Sequence, residues 1–221
     1  YDIFKIVKAG QKRMKKYVIF DIDGTLNQTA LYAIEAYQKA LKKRNITVSD
    51  DVIFACIGLS PAAIITKLFG SLDDNAYQVW RKDIQEYEFS IMKDRAKTFD
   101  GIVEVLCELK RRGYQLAICS NAYPKHIKQV LTMIGIYNYF SEIGSLKMGN
   151  SKAEVLTKLL EKLNCQKACL VGDRKFDLEA ARVNHIPLIG CGYGYAPNEI
   201  QEADVVINKP LEILEVIDYL I

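Results

Sequence analysis

The chain has 221 residues, half of them hydrophobic, and its 30 basic and 27 acidic side chains leave a net charge of +3. That length is enough for one sizeable core with a small insert, and the near balance of charge gives no reason to expect a nucleic acid polymer as partner. No apolar run approaches the ~20 residues of a membrane span, no signal peptide is visible and the six cysteines form no CxxC motif, which favours a cytoplasmic protein with buried free thiols and no membrane partner.

The first predicted segment is an N-terminal leader over residues 1–16. Six of these residues are Lys or Arg and one is acidic, which is typical of a solvated leader, although a basic tail can also bind membrane or nucleic acid. Met14 closely precedes the first predicted strand, so we expect residues 1–13 to be an extension before a natural start.

Five short apolar runs predict strands that are buried on both faces. They span residues 17–20, 116–119, 168–171, 186–190 and 204–207. Between them, apolar residues recur at helical spacing over 101–112, 124–134, 151–163 and 176–184. Strands that alternate with helices predict an α/β fold, a doubly wound (Rossmann-like) parallel sheet with right-handed crossovers.

Residues 27–95 interrupt this alternation. Helical patterns over 27–44, 60–69 and 73–92 follow one another with no convincing buried strand between them. We therefore expect a small helical cap domain over 27–95, inserted into a core domain made of residues 17–26 and 96–221. Such a cap can close over a crevice from which water must be excluded.

Polar side chains follow three of the predicted strands at the point where each strand ends. Asp21 and Asp23 follow the first strand, Ser120 and Asn121 the second, and Asp173 comes after the run 168–171. The carboxyl ends of strands in an open α/β sheet form the ligand crevice, so we expect these residues to meet at one site.

The acidic residues of this set predict a magnesium site. Carboxylate oxygens suit Mg²⁺, and no His or Cys accompanies Asp21, Asp23 and Asp173 as a zinc site would require. Taken alone, the Asp-x-Asp-Gly-Thr run would also fit an acidic turn. A calcium loop is disfavoured, because no Glu follows at its twelfth position.

Lys152 is the basic residue expected at the site, near the start of the predicted helix 151–163. A lysine at a helix start is more often solvated, but beside carboxylates it could hold a phosphate and offset their charge. Ser120, Asn121 and the backbone N–H groups that follow them are the other phosphate ligands that we expect.

Together these motifs resemble the haloacid dehalogenase superfamily, in particular helical-cap members such as phosphoglycolate phosphatases and 5′-nucleotidases. The match covers most of residues 17–207. The gap between positions 23 and 120 has room for the cap, whereas the gap between 120 and 152 holds one helix and a short strand. Phe176 departs from the His often found there, which leaves the substrate open. The matching motifs are Asp21-Ile22-Asp23-Gly24-Thr25, Ser120, Lys152, and Gly172-Asp173 with Asp177.

The resemblance implies a Mg²⁺-dependent phosphatase that acts on a small-molecule phosphate monoester through an aspartyl-phosphate. It implies that Asp21 attacks phosphorus, and that Asp23 protonates the leaving oxygen and then deprotonates water. Thr25 would order the loop, and Asp177 would support the metal or pair with Lys152. Dehalogenases of the superfamily lack an acid/base Asp at the position of Asp23, so its presence favours phosphoryl chemistry.

Two alternatives to the phosphatase function remain open. A β-phosphoglucomutase-like phosphosugar mutase shares core and cap, but those mutases carry an Arg in the cap segment corresponding to residues 57–69, where this chain has none. The second alternative is a catalytically silent binding protein with the same fold. The sequence does not choose between a monomer and a homodimer.

Some further residues allow a structural or a functional interpretation. The turn 58–61 is either a plain helix start, with Ser60 as N-cap before Pro61, or a loop that contacts substrate. Trp80 is expected to pack, and Arg81 and Arg95 to be solvated, although either Arg could meet a substrate anion. We expect the histidines at positions 126 and 185 on the surface or at helix ends, and residues 192–195 as a flexible loop at the site's rim.

Overall fold

The computed structural model describes residues 15–221 of the chain. The expected extension over 1–13 lies outside the described residues, as does most of the predicted leader. Lys16, the last residue of that leader, already belongs to a strand and pairs with Lys167. The sheet therefore begins one residue earlier than predicted.

Six parallel strands form a single sheet. Their bounds are β1 Lys16–Phe20, β2 Gln115–Cys119, β3 Glu142–Gly144, β4 Lys167–Gly172, β5 Leu188–Cys191 and β6 Val205–Ile207. The spatial order is β3-β2-β1-β4-β5-β6, so the chain crosses from one side of β1 to the other between β3 and β4. This order confirms the predicted doubly wound sheet and places the ligand crevice at the ends of β1, β2 and β4.

Residues 27–95 fold into four helices, α1 Ala30–Lys42, α2 Asp50–Phe54, α3 Pro61–Phe69 and α4 Asp74–Arg95. They share a small core that includes Leu41, Ile53, Trp80 and Ile84. The Trp80 ring meets that of Phe69 edge-on at 4.8 Å between centroids, as expected of a packing residue. Helix α2 was not predicted, because its single turn is too short to show a period.

Helices on both faces of the sheet complete the fold. They are α5 Ile102–Arg111, α6 Pro124–Met133, α7 Lys152–Leu163, α8 Lys175–Val183 and α9 Ile213–Leu220. Helices α5, α6 and α9 pack on the face that includes Val18 and Phe20 of β1, whereas α7 and α8 pack on the face with Tyr17 and Ile19. Helix α9 was not predicted from the sequence.

The part of the chain between Lys15 and Ile221 contains no helix that is both long and apolar enough to cross a membrane. All six cysteines of the sequence are free thiols, and four of them are buried. Buried thiols of this kind pack as small apolar side chains.

Asp83 on α4 is a buried carboxylate whose partners follow the end of α1. Its Oδ1 lies 2.7 Å from Lys43 Nζ, and its Oδ2 lies 2.8 Å from an Arg44 guanidinium nitrogen. The Arg44 guanidinium also lies 5.2 Å from the centre of the Trp80 ring. These contacts tie α1 to α4.

Asp83→Ala is expected to lower the free energy of unfolding by about 1 to 2 kcal/mol, because it leaves Arg44 without its charged partner. Urea unfolding followed by circular dichroism measures the change. Glu86→Ala is the matched control, since Glu86 is exposed on the same helix and its ion pair with Lys82 is long, at 3.9 Å. An equal loss in both variants would contradict a structural role for the Asp83 pairs.

Candidate active site

Asp21 lies directly after β1 and is held by both its backbone and its side chain. Its N–H donates to the Val171 carbonyl at 2.9 Å, which continues the pairing of β1 with β4. Its carboxylate Oδ1 lies 2.7 Å from Lys152 Nζ. The side chain is buried, so this ion pair fixes its orientation.

Lys152 is the first residue of α7 and bridges two carboxylates. Its Nζ lies 2.7 Å from Asp21 Oδ1 and 2.6 Å from Asp177 Oδ1. Burial lowers the pKa of Lys152, but the negative charges of Asp177 and Asp21 raise it by more, so the pKa lies above its ordinary value. The lysine is therefore a fixed positive charge at the sheet edge, and the predicted pairing of Asp177 with Lys152 is present.

Three buried carboxylates surround this charge. Asp21, Asp173 and Asp177 each offer one oxygen, and these oxygens lie within 4.8 Å of one another. Burial raises the pKa of Asp173 well above its usual value, and the charges of Asp21 and Asp177 raise it further. Burial also raises the pKa of Asp177 to about 6, against the opposing effect of Lys152. One lysine cannot balance three buried carboxylates, so the cluster has the charge of a cation site.

The hydrogen bonds of Asp173 also indicate a cation site. Its Oδ2 accepts a hydrogen bond from the Tyr195 N–H at 2.7 Å. Its Oδ1 is buried and has no hydrogen-bond partner within residues 15–221. A buried carboxylate oxygen is costly when unpaired, and a donor set made only of carboxylates suits a hard divalent cation.

Asp23 lies outside this cluster. Its carboxylate accepts a hydrogen bond from the Thr29 hydroxyl at 2.5 Å, and Thr29 in turn accepts one from the Asn27 amide at 2.7 Å. Burial raises the pKa of Asp23, and the nearby charge of Asp21 adds to this effect. The structure thus groups Asp177, rather than the Asp23 carboxylate, with Asp21 and Asp173, and the metal-ligand role of Asp23 stays a prediction. Thr29 is a contact of Asp23 that was not predicted, although its place just before a helix was an available signal.

Glycines allow two loops to approach the carboxylates closely. Gly24 has φ +81°, and a Cβ there would lie 2.1 Å from Asp173 Oδ2. A Cβ on Gly194 would lie 2.3 Å from that of Asp173, and one on Gly172 would lie 2.1 Å from Asp177 Cγ. No other residue type fits these positions without displacing a carboxylate.

Ser120 and Asn121 follow β2 and are both buried. The Ser120 hydroxyl accepts a hydrogen bond from the Ala122 N–H at 3.2 Å. The Asn121 amide donates to the Gly58 carbonyl at 3.2 Å, so it contacts the helical segment. Both side chains lie at the predicted crevice, and their phosphate-binding roles stay predictions.

The loop before α3 is held by the core. Besides the Asn121 contact, the buried Arg174 guanidinium donates to the Ile57 carbonyl. The Ser60 hydroxyl accepts a hydrogen bond from the Ala63 N–H at 3.3 Å, which makes Ser60 the N-cap of α3. The loop is thus a helix start that also reaches the sheet edge.

A cavity of about 150 Å³ lies between the sheet edge and the helical segment. The core contributes residues that include Asp21, Asp23, Ser120 and Asn121 to its wall. The helical segment contributes both apolar and charged side chains, among them Tyr37, Trp80, Ile84, Arg81 and Glu88. The carboxylates of Asp21 and Asp23 therefore face a space with room for a small molecule.

The loop after β5 makes closer contacts with the site than its predicted place at the rim implies. The Tyr193 hydroxyl donates to the Thr25 carbonyl at 3.0 Å. Tyr195 binds Asp173 through its N–H, and its hydroxyl accepts a hydrogen bond from the Ala30 N–H at 2.9 Å. The loop therefore connects the acidic cluster to the loop after β1 and to the start of α1.

Of the other basic residues considered in the sequence, His185 and Arg95 lie away from the cavity, whereas Arg81 and His126 line it. His185 is exposed, and Arg95 pairs with Glu35 at 2.9 Å, away from the cavity wall. Arg81 is exposed at the cavity, where its guanidinium lies 5.4 Å from the centre of the Tyr123 ring. His126 lies in the first turn of α6 and also lines the cavity.

Comparison with known proteins settles the family. The model of the haloacid dehalogenase-like hydrolases matches residues 18–191. This chain belongs to that family. It is 30% identical to a phosphoglycolate phosphatase of Colwellia psychrerythraea, over 82% of this chain and 86% of the relative.

Solved structures agree with this assignment. A "predicted phosphatase" from Clostridium acetobutylicum superposes with a TM-score of 0.83 at 26% identity, over 94% of this chain and all of that one. A β-phosphoglucomutase from Clostridium difficile has a TM-score of 0.80 at 20% identity, over 93% and 96% of the two chains, and shows the shared fold alone. The predicted family and its hydrolase class are confirmed.

Gly172→Ala is expected to lower the free energy of unfolding by about 1 to 3 kcal/mol, because its new methyl group would displace Asp177 from Lys152. The source of the loss can be isolated with Asp177→Ala, which removes the atom that the methyl group meets. The free energies of unfolding of the unmodified protein, both single variants and the double variant are measured by thermal unfolding and form a double-mutant cycle. We expect Gly172→Ala to cost much less in the Asp177→Ala background, and strictly additive losses would contradict the proposed contact.

Proposed function

We propose that this protein hydrolyses a small-molecule phosphate monoester by way of a phosphoryl group carried on Asp21. The observation that supports this most directly is the position of Asp21. Its carboxylate is fixed by Lys152 at 2.7 Å and faces a cavity beside a second carboxylate, Asp23. An oriented carboxylate next to a proton donor is the arrangement that a covalent mechanism needs.

The reaction would proceed in two displacements. In the first, an Asp21 oxygen bonds to phosphorus while the ester P–O bond breaks, and Asp23 gives its proton to the departing alkoxide. In the second, Asp23 takes a proton from water, the water oxygen bonds to phosphorus and the bond to Asp21 breaks. The products are the alcohol and inorganic phosphate, and both aspartates return to their starting states.

The phosphoryl oxygens would be held by Ser120, Asn121 and Lys152. Lys152 supplies a buried positive charge, and the Ser120 hydroxyl lies at the cavity wall with the Asn121 amide beside it. Such groups lower the barrier when they are oriented before the reaction begins. Asn121 would have to share its amide between the substrate and the Gly58 carbonyl.

The acidic cluster fits Mg²⁺, because its donors are carboxylate oxygens and Asp173 Oδ1 has no hydrogen-bond partner within the described residues. Asp21 and Asp173 would hold the ion, with Asp23 as a further candidate and Asp177 beside them. When bound, Mg²⁺ would supply positive charge against the phosphoryl oxygens and the buried carboxylates. Thr25 would order the loop through its contact with Tyr193.

The helical segment 27–95 would act as the cap domain that closes the cavity. A cavity of about 150 Å³ favours a small substrate. The name of the Colwellia relative offers phosphoglycolate as one candidate substrate. The mutase alternative stays open, because it would use the same first displacement and differ in the fate of the phosphoryl group.

Asp21→Asn is expected to reduce phosphate release at least about a thousandfold, because the neutral amide is a poor nucleophile of nearly the same shape. Release of inorganic phosphate is measured with Mg²⁺ over a panel of phosphoglycolate, nucleoside monophosphates, sugar phosphates and pyrophosphate. Asp94→Asn, an exposed position on α4, is the control. Full activity in Asp21→Asn would contradict the proposal, and isomer formation without phosphate release would favour the mutase.

Asp173→Asn tests the metal site without any turnover. We expect Mg²⁺ to raise the melting temperature of the unmodified protein, and at least tenfold more Mg²⁺ to be needed in the variant. Without Mg²⁺ the variant should melt at the same or a higher temperature, because one of three crowded carboxylates is neutralised. Equal Mg²⁺ responses in the variant and the Asp94→Asn control would refute this assignment.

A further inference from the structure

Glu88 is a buried acidic residue that the proposed chemistry does not use. It lies on α4 and lines the same cavity as Asp21 and Asp23, and only 7% of its surface is exposed. It follows Trp80 and Ile84 at intervals of four residues, so it continues their apolar stripe along the cavity. A carboxyl group at such a position is costly unless it has a partner.

Glu88 has little compensation from the protein. Its carboxylate makes no hydrogen bond within the part of the chain that the structure covers, and His126 Nδ1 lies 3.8 Å from its Oε2. Burial raises the pKa of Glu88, His126 opposes this effect, and the charge of Asp23 adds to it. Glu88 and Asp23 are thus close enough to influence each other across the cavity. Its carboxyl group therefore has hydrogen-bonding capacity left for a molecule bound in the cavity that Glu88 lines.

The charges along the cavity are separated. The acids Asp21, Asp23 and Glu88 line it with one basic neighbour, His126 beside Glu88, whereas Arg81 and Lys125 line it from exposed positions. A small leaving group attached to the phosphoryl group at Asp21 would lie among the acids. A carboxylate on such a group would be repelled, whereas a hydrogen-bond donor would find an acceptor.

We propose that Glu88 is a specificity-determining residue, which accepts a hydrogen bond from a hydroxyl or ammonium group on the leaving alcohol and excludes a carboxylate from that place. This inference rests on the proposed function, because it assumes that the phosphoryl group binds at Asp21. It assigns the protein to phosphate esters of polyols or amino alcohols, rather than to phosphoglycolate. His126 would position the Glu88 carboxylate.

Three two-carbon esters test this with matched size: 2-phosphoglycolate, 2-hydroxyethyl phosphate and 2-aminoethyl phosphate. Their binding is measured by calorimetry, with Mg²⁺ present, in the Asp21→Asn protein, which cannot turn them over. We expect the hydroxyl or the ammonium ester to bind at least about tenfold more tightly than phosphoglycolate. The better of these two esters then tells whether the donor is neutral or charged.

Glu88→Gln in the same background keeps the shape and removes the negative charge. We expect it to reduce the preference against phosphoglycolate at least tenfold, whereas Glu86→Gln on the exposed side of α4 should leave the preference unchanged. A purely structural role of Glu88 would weaken all three esters alike. Equal or tighter binding of phosphoglycolate before the substitution, or a preference unaltered by it, would overturn the proposal.

Turnover separates this proposal from the proposed function. If the unmodified protein releases no phosphate from the three esters or from any member of the panel given above, the phosphatase assignment fails. The binding preferences are still decided in the Asp21→Asn background. If phosphate is released but the order of the esters does not depend on Glu88, the specificity proposal fails alone.

Discussion

The site depends on one buried lysine that bridges two carboxylates. Lys152 lies 2.7 Å from Asp21 and 2.6 Å from Asp177, and these three residues come from the start of α7, the end of β1 and the start of α8. The bridge brings one strand and two helices of the core to one point and fixes the carboxylate that would attack phosphorus. Asp173 lies outside this bridge, and its carboxylate oxygens beside that of Asp21 make the cluster suitable for a cation.

The backbone around this cluster approaches it closely. Glycines at 24, 172 and 194 remove the side chains that would collide with Asp173 and Asp177. Tyr195 joins Asp173 to the start of α1, and Arg174 joins the region of the cluster to the loop before α3. The proposed chemistry thus uses residues of the core, while the helical segment supplies the opposite wall. Glu88 lies on that wall, so its proposed role in the choice of substrate would be separate from the chemical steps.

The sequence predicts the strands and the polar residues that follow them, because buried parallel strands leave a strong apolar pattern and their ends share one edge of the sheet. Asp21 and Ser120 are predicted in this way, whereas Lys152 is predicted from its place at a helix start. The places of Thr29, Tyr195 and Glu88 could not be predicted, because their contacts join residues brought together only by folding. The extent of β5, Leu188–Cys191, also differs from the predicted 186–190, since the apolar run alone does not show where pairing stops.

The central claim is that the phosphoryl group passes through Asp21 before water receives it. The stereochemical course at phosphorus tests this most directly, with a thiophosphate ester whose two terminal oxygens are different isotopes and whose hydrolysis is run in water labelled with the third isotope, so that the inorganic thiophosphate released is chiral. Each in-line displacement inverts phosphorus, so two displacements restore its configuration. The account predicts retention, and inversion would contradict it, because it would show that water attacks the substrate directly.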